Sequence, residues 1–168
     1  MKKDLTRIKL FAMDVDGTLT DGKIYISNEG EAMKAFSPKD GLGIKLLKKH
    51  GIMPAIITGR TSNIVKNRCK EIGIELLYQG IRDKASVLRQ LMDQYGLAPE
   101  QVAYIGDDVN DLGAMETAGI TFAPRDCAEQ LIPYVDFILT KKAGESPVRE
   151  AIDRILEDRL TVSDYMDL

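Results

Sequence analysis

At 168 residues, with 44% apolar and 29% charged residues, the chain has the length and composition of one soluble globular domain, not of a disordered or fibrous protein. A formal net charge of −3, with lysine and arginine scattered along the chain, leaves no basic patch of the kind that binds nucleic acid. The apolar runs are too short to cross a bilayer, and the first residues lack the apolar stretch and cleavage site of a secretion signal, so no membrane partner and a cytoplasmic location are expected.

Taken in chain order, short β-branched runs alternate with longer amphipathic ones. Ile8–Met13 reads as a strand and Gly41–Lys49 as a helix. Met53–Ile57 is a strand, followed by a helix over Ser62–Ile72. Glu75–Tyr78 is a strand, then Lys84–Tyr95 a helix with Val87, Leu88, Leu91 and Met92 on one face. Val102–Ile105 is a strand and Leu112–Ala118 a helix. Thr121–Ala123 and Asp136–Leu139 are short strands around a small helix near Ala128–Ile132. A last helix opens with Ser146 as N-cap and Pro147 at its first position, and runs to about Asp158. One segment breaks the alternation: Lys23–Ser27 and Glu31–Phe36, around Asn28-Glu29-Gly30, read as a β-hairpin over 23–36. The single histidine, His50, precedes Gly51 where a helix ends, which suits capping. Cys69 and Cys127 belong to no metal-ligand pattern and read as free thiols.

Apolar strands each followed by a helix imply a doubly wound α/β domain with a parallel sheet covered on both faces. One domain spans 1–168, with the hairpin too small to be a second and a helix and short acidic tail over 146–168. Ligands in such folds bind at the carboxyl ends of the strands. Asp14-Val15-Asp16-Gly17-Thr18 follows the first strand, Thr58-Gly59-Arg60 the second, and Gly106-Asp107-Asp108-Val109-Asn110-Asp111 the fourth, while Lys84 opens the helix after the third.

Singly, these residues have ordinary readings. Asp16-Gly17 is a turn signal, Thr58-Gly59 can cap a helix, Lys84 can be a solvated first-turn residue, and Asp108, Asn110 and Asp111 suit a helix N-terminus. Together they are different, because Asp14, Asp16, Asp107 and Asp111 on one edge would repel one another without a cation between them. A hard divalent ion resolves that, and Mg²⁺ suits it because it takes few carboxylates and accepts phosphate oxygens. Phosphate monoester hydrolysis then follows. Asp14 attacks phosphorus to form an aspartyl phosphate, and Asp16 serves as acid and then base. Gly17 allows close approach to the phosphate, and Thr58 and Lys84 stabilise the phosphoryl oxygens. Asp107 would bind the metal, with Asp108 and Asp111 holding metal, water or Lys84.

Asp14-x-Asp16-Gly17-Thr18, Thr58, Lys84 and Gly106-Asp107-Asp108-x-x-Asp111 resemble, in order and spacing, the four motifs of the haloacid dehalogenase (HAD) superfamily over nearly the whole chain. The resemblance implies a Rossmann-like fold and Mg²⁺ held by Asp14, the backbone carbonyl of Asp16, and Asp107. Asp at the second position of the first motif marks phosphatases and phosphomutases there. More narrowly, Asp21-Gly22, Lys34-Ala35-Phe36, Asp40-Gly41-x-Gly43, Thr58-Gly59-Arg60, Arg68-Cys69, Tyr78-Gln79-Gly80 and Val148-Arg149-Glu150 resemble the 3-deoxy-D-manno-octulosonate 8-phosphate (KDO 8-P) phosphatase subfamily. That likeness implies no cap domain, a homotetramer joined through its hairpins, and a small phosphorylated sugar acid as substrate. Gly59, Arg60 and Arg68 are candidate substrate contacts. Arg60 stands where relatives acting on nonulosonate 9-phosphates tend to be acidic, and reads either as a carboxylate or phosphate ligand or as a solvated helix-start residue.

One stretch departs from the subfamily: Ala143-Gly144-Glu145-Ser146-Pro147 is shorter and poorer in glycine than the segment that usually precedes Val-Arg-Glu. Two readings from other classes are weaker. A phospho-receiver domain places its acidic pair first, the reverse of the order here. A non-catalytic oligomerising module would have no need of the full set of aspartates.

Overall fold

The computed structural model describes residues 3–166. In chain order it contains β1 (Leu10–Met13), β2 (Tyr25–Ser27), β3 (Gly30–Met33), α1 (Pro38–Lys49), β4 (Met53–Ile57), α2 (Asn63–Ile72), β5 (Leu76–Tyr78) and α3 (Lys84–Tyr95). Then come β6 (Val102–Ile105), α4 (Leu112–Thr117), β7 (Ile120–Ala123), β8 (Phe137–Ile138), α5 (Pro147–Leu156) and α6 (Val162–Met166). Six strands form one parallel sheet in the order β5-β4-β1-β6-β7-β8, while β2 and β3 pair apart from it as an antiparallel hairpin. This is the expected doubly wound, Rossmann-like architecture.

β1 shows how the sequence builds both layers. Side chains alternate along a strand, so Phe11 and Met13 point to one face and Leu10 and Ala12 to the other. The first pair packs with Ile44 and Leu47 of α1, Val65 and Cys69 of α2, and Ile152 and Ile155 of α5. The second pair packs with Val87, Leu88 and Leu91 of α3 and Met115 of α4. All four β1 residues are fully buried, so truncating Phe11 to alanine costs about 3–5 kcal/mol. β1 lies between β4 and β6, with Met13 level with both Ile56 and Ile105. The chain therefore adds strands first to one side of β1 and then to the other. That reversal opens a crevice above the carboxyl ends of β1 and β6.

Several boundaries differ from expectation for identifiable reasons. α1 starts at Pro38 rather than Gly41, because Ser37 caps it by accepting from the Lys39 N–H. Gly41 and Gly43 weaken the helical signal but sit against arginine side chains: a Cβ at Gly41 would lie 2.7 Å from Arg68, and one at Gly43 would lie 2.9 Å from Arg149. Pro147 opens α5 as expected, but Ser146 does not cap with its side chain. It adopts a left-handed conformation (φ 73°), and its hydroxyl instead meets that of Ser37 at 2.6 Å. The helix near 128–132 is a 3₁₀ turn over Glu129–Tyr134, and the last strand shortens to Phe137–Ile138. The hairpin is also shorter than expected, with Asn28-Glu29 as its loop. α6 falls in the short acidic tail. The Thr161 N–H and hydroxyl both donate to Asp164, whose other oxygen lies 3.4 Å from Lys49 and from His50. Residues 167–168 of that tail, and Met1 and Lys2 at the start, lie outside the described residues. Among the described residues no helix is long and apolar enough to cross a membrane.

Candidate active site

Asp14 is the first residue beyond β1. Its N–H donates to the Ile105 carbonyl, and its side chain is buried where the crevice opens. The loop behind it is tight, with the Thr18 and Thr20 N–H groups both donating to the Val15 carbonyl. Gly17 has φ +89°, and a Cβ there would fall 2.0 Å from an Asp107 carboxylate oxygen. The glycine thus admits the Asp107 carboxylate as well as the unusual backbone. Asp107 itself follows β6, the strand beside β1.

Asp14, Asp107 and Asp111 bring carboxylate oxygens within 4.8 Å of one another. Lys84, the first residue of α3, reaches into this cluster and is almost fully buried. Its ammonium donates to Asp14 Oδ1 and Asp111 Oδ1, each at 2.7 Å. The Tyr104 hydroxyl of β6 also donates to Asp111 Oδ1, at 2.6 Å. Asp111 Oδ2 accepts from the N–H groups of Asp107 (3.0 Å) and Asp108 (3.3 Å). Asp111 is thus saturated by four donors. It anchors Lys84 and the Asp107 loop, leaving Asp14 and Asp107 to face the crevice.

The electrostatics follow from that crowding. Burial, then the charge of Asp111, raises the Asp14 pKa to about 6, against the pull of Lys84. Burial, then Asp14 and Asp111, raises Asp107 to about 8, with a hydrogen bond to Asp14 contributing. Burial opposes the Lys84 ammonium, but the two carboxylates outweigh it and its pKa rises. The Tyr104 hydroxyl is pushed well above its ordinary value by burial and by Asp111, so it stays a donor. A site that holds protons between carboxylates at neutral pH fits a divalent cation in their place. Asp14 and Asp107 have the oxygen donors for Mg²⁺.

The other anticipated residues divide. Thr58 is buried just beyond β4, adjacent to β1, with its N–H donating to the Tyr78 carbonyl. Gly59 and Arg60 continue along the crevice edge, and Arg60 Nε is 3.9 Å from Asp16 Oδ2. Asp108 is exposed and accepts from the Val109 N–H at 2.7 Å, outside the carboxylate cluster. Arg68 is not brought to Asp14 within the chain. It donates to the Ser37 carbonyl (3.3 Å), pairs with Glu71 (2.9 Å) and lies over the Phe36 ring.

Three participants were not anticipated as site residues. Tyr104 reads in sequence as one more core residue of an apolar strand; the only hint is that a buried phenol needs a partner. Lys34 and Glu31 lie on the hairpin, whose docking onto the sheet edge has no local signal. Lys34 pairs with Asp16 Oδ1 and with Glu31 (3.0 Å), and Glu31 in turn accepts from Ser62, the N-cap of α2.

Buried carboxylates and a lysine on the strand ends of a doubly wound sheet define a hydrolase of the HAD type, and the haloacid dehalogenase-like hydrolase family model matches residues 37–119. The chain is 43% identical over 149 residues to the 3-deoxy-D-manno-octulosonate 8-phosphate phosphatase KdsC of Escherichia coli (strain K12), an alignment covering 89% of this chain and 79% of that protein. Among solved structures it is similar to the 3-deoxy-D-manno-octulosonate 8-phosphate phosphatase of Moraxella catarrhalis in complex with magnesium, phosphate and KDO. There the TM-score is 0.91 and the identity 43%, covering 97% of this chain and 94% of that one. The cobalt-bound form of the Haemophilus influenzae enzyme gives a TM-score of 0.91 at 38% identity, covering 96% of this chain and 98% of that one. The chain belongs to the haloacid dehalogenase-like hydrolase family, and within it to the phosphatases, enzymes that hydrolyse phosphoric monoesters.

Proposed function

We propose that the chain is a Mg²⁺-dependent phosphatase of KDO 8-P, working through an aspartyl phosphate on Asp14. The observation that carries this reading is Asp14 itself, buried at the topological switch point with Lys84 bonded to one oxygen and Asp107 beside it. Asp14 and Asp107, with the Asp16 backbone carbonyl, would hold Mg²⁺, which when bound neutralises phosphoryl charge.

The chain's own residues account for the rest. The Asp14 carboxylate attacks phosphorus, forming a P–O bond as the ester P–O bond breaks. Lys84 and Thr58 meet the charge on the phosphoryl oxygens. Asp16 gives its proton to the leaving sugar oxygen, then takes one from the water that attacks the phosphorylated Asp14. Phosphate leaves and Asp14 is restored. Gly59, Arg60 and Arg68 are the proposed substrate contacts. Arg60, a planar cation at the mouth, suits the carboxylate of a sugar acid.

The names of the relatives support the octulosonate ester, which would place the enzyme in lipopolysaccharide precursor synthesis in the cytoplasm. Four copies of the chain, one domain each, would assemble through the hairpin. Ile26 and Met33 expose more than half their surface there, and Ile24 and Tyr25 lie beside them. A nonulosonate 9-phosphate is the second substrate to weigh. The 143–147 segment that departs from the subfamily is held against its own chain, with Ala143 donating to Asp126 (2.9 Å) and Gly144 packed on the Asp21 backbone.

Phosphate release is to be measured from KDO 8-P, a nonulosonate 9-phosphate and hexose phosphates, with Mg²⁺ and with EDTA. Preferential, EDTA-sensitive release from KDO 8-P is expected. Equal rates on all three would remove the substrate assignment, and no release from any would overturn the phosphatase reading.

A further inference from the structure

The β-hairpin does more than project from the sheet edge. Lys34, one residue past β3, turns inward, and its side chain is 1% exposed, although the residues on either side of it are exposed. Its ammonium bridges two carboxylates, Asp16 and Glu31. Glu31 is itself fixed at the other end by the hydroxyl of Ser62, the residue that caps α2. A continuous polar chain therefore runs from the N-terminus of a helix, through two hairpin residues, to one oxygen of Asp16.

We propose that Lys34 is a positioning residue for Asp16: it clamps Oδ1 through the Lys34–Glu31–Ser62 network and leaves Oδ2 to exchange a proton with the leaving sugar oxygen and the attacking water. The inference rests on the proposed roles of Asp14 and Asp16. Two observations favour Lys34 over the other nearby cation. Lys34 is enclosed, whereas the Arg60 side chain is 47% exposed and stands 3.9 Å from Asp16. An enclosed charge pair is held more firmly than an exposed one, which is weak and mobile. Lys34 is also the link between the hairpin and the reacting centre, so the hairpin's conformation bears directly on the acid–base group. Burial opposes the ammonium, but Asp16 and Glu31 outweigh it, so it stays charged.

Misplacing an acid–base group by about 1 Å costs up to roughly 100-fold in rate. Lys34→Met is accordingly expected to lower kcat by roughly 10- to 100-fold with KM changed much less, and Lys34→Arg to recover part of the loss. Glu31→Gln, which keeps the partner of Ser62 but removes the charge that holds Lys34, is expected to give a smaller fall in kcat. Should Lys34→Met not fold, Glu31→Gln and Lys34→Arg carry the test. In the Asp16→Asn background, Lys34→Met is expected to add little, because the group it positions is already gone.

Unchanged kcat in Lys34→Met and Glu31→Gln would overturn the proposal, as would a full additional loss in the double variant. Crystals of Lys34→Met read the position without turnover: a displaced Asp16 carboxylate supports the clamp, and an unmoved one removes it. A wild-type enzyme that hydrolyses no phosphate ester would instead strike the phosphatase reading, leaving the crystallographic outcome to decide the clamp.

Discussion

The floor of the site and the hairpin above it are built on opposite terms. The floor is a set of charges locked into the ends of β1 and β6 and the start of α3. Asp14, Lys84 and Asp111 are buried, and Asp111 is held by Lys84 of α3, Tyr104 of β6 and two N–H groups of the loop that follows β6. The hairpin has only two short strands, exposes Ile26 and Met33, and touches the site through Lys34. A buried ion network tolerates little variation, because breaking one partner strands the others. An exposed hairpin can change its outer face at little cost to the fold. Phosphoryl transfer is proposed for the first region, and the positioning of Asp16 and assembly are proposed for the second.

The largest expected effect breaks the floor. Lys84→Ala removes a donor expected in the transition state and leaves Asp14 and Asp111 buried without their cation. Turnover should fall by roughly 100- to 1,000-fold, and the variant should lose about 3–5 kcal/mol in denaturant unfolding. Near-normal values for both would mean that the buried network is not the centre of the site. Tyr104→Phe is a milder cut in the same place. It deletes one of the four bonds to Asp111 and keeps Lys84, so a loss of about 1.5–3 kcal/mol is expected with turnover reduced less than in Lys84→Ala. The reverse order would contradict the anchoring role of Asp111.

A pH experiment sharpens the same contrast. The carboxyls of Asp14 and Asp107 titrate at about 6 and about 8 in the folded chain, against an ordinary 3.8. Between 3.8 and each of those values the folded chain holds more protons than the unfolded one, so the contribution to stability is fully present below about 3.8 and is lost as pH rises from there through about 6 for Asp14 and about 8 for Asp107. Asp40, raised by burial to about 7, adds a fall of the same sign that does not depend on metal. Mg²⁺ held by Asp14 and Asp107, as proposed, would take the place of the lost protons. The rise in Tm on adding Mg²⁺ over EDTA should therefore be larger at pH 8 than at pH 5.5. An equal rise at both would argue that the metal does not bind these carboxylates. The smallest effect on the fold belongs to the hairpin. Ile26→Asp should change unfolding free energy by less than about 0.5 kcal/mol, yet shift light scattering from the proposed tetramer toward monomer. An unchanged tetramer would move the interface elsewhere.

The same division explains what could be read from sequence. Strand ends announce themselves, because an apolar run followed by Asp-x-Asp-Gly or Gly-Asp-Asp places the carboxylates at a known edge of the sheet. Asp14, Asp107, Asp111 and Lys84 could therefore be named as a set before any coordinates. Tyr104 could not, since its hydroxyl matters only once α3 and the Asp107 loop converge on it. Lys34 and Glu31 could not either, because their contacts depend on the angle at which a hairpin folds back. α6 was hidden for a further reason: five residues carry too little periodicity, and its support from Lys49 and His50 comes from a distant helix. Arg68 is a further case: within the chain it braces Ser37 and Phe36, a role that its charge alone does not announce.

The most direct test of the central claim is to look for the phosphate on Asp14. The Mg²⁺-loaded enzyme is mixed with KDO 8-P, quenched in acid within a single turnover, digested and read by mass spectrometry, with Asp14→Asn as the control. A phosphoryl group on the peptide containing Asp14, absent from the control and lost as turnover completes, is the predicted result. Phosphate release at full rate by Asp14→Asn, or a phosphoryl group carried by another residue, would contradict the account.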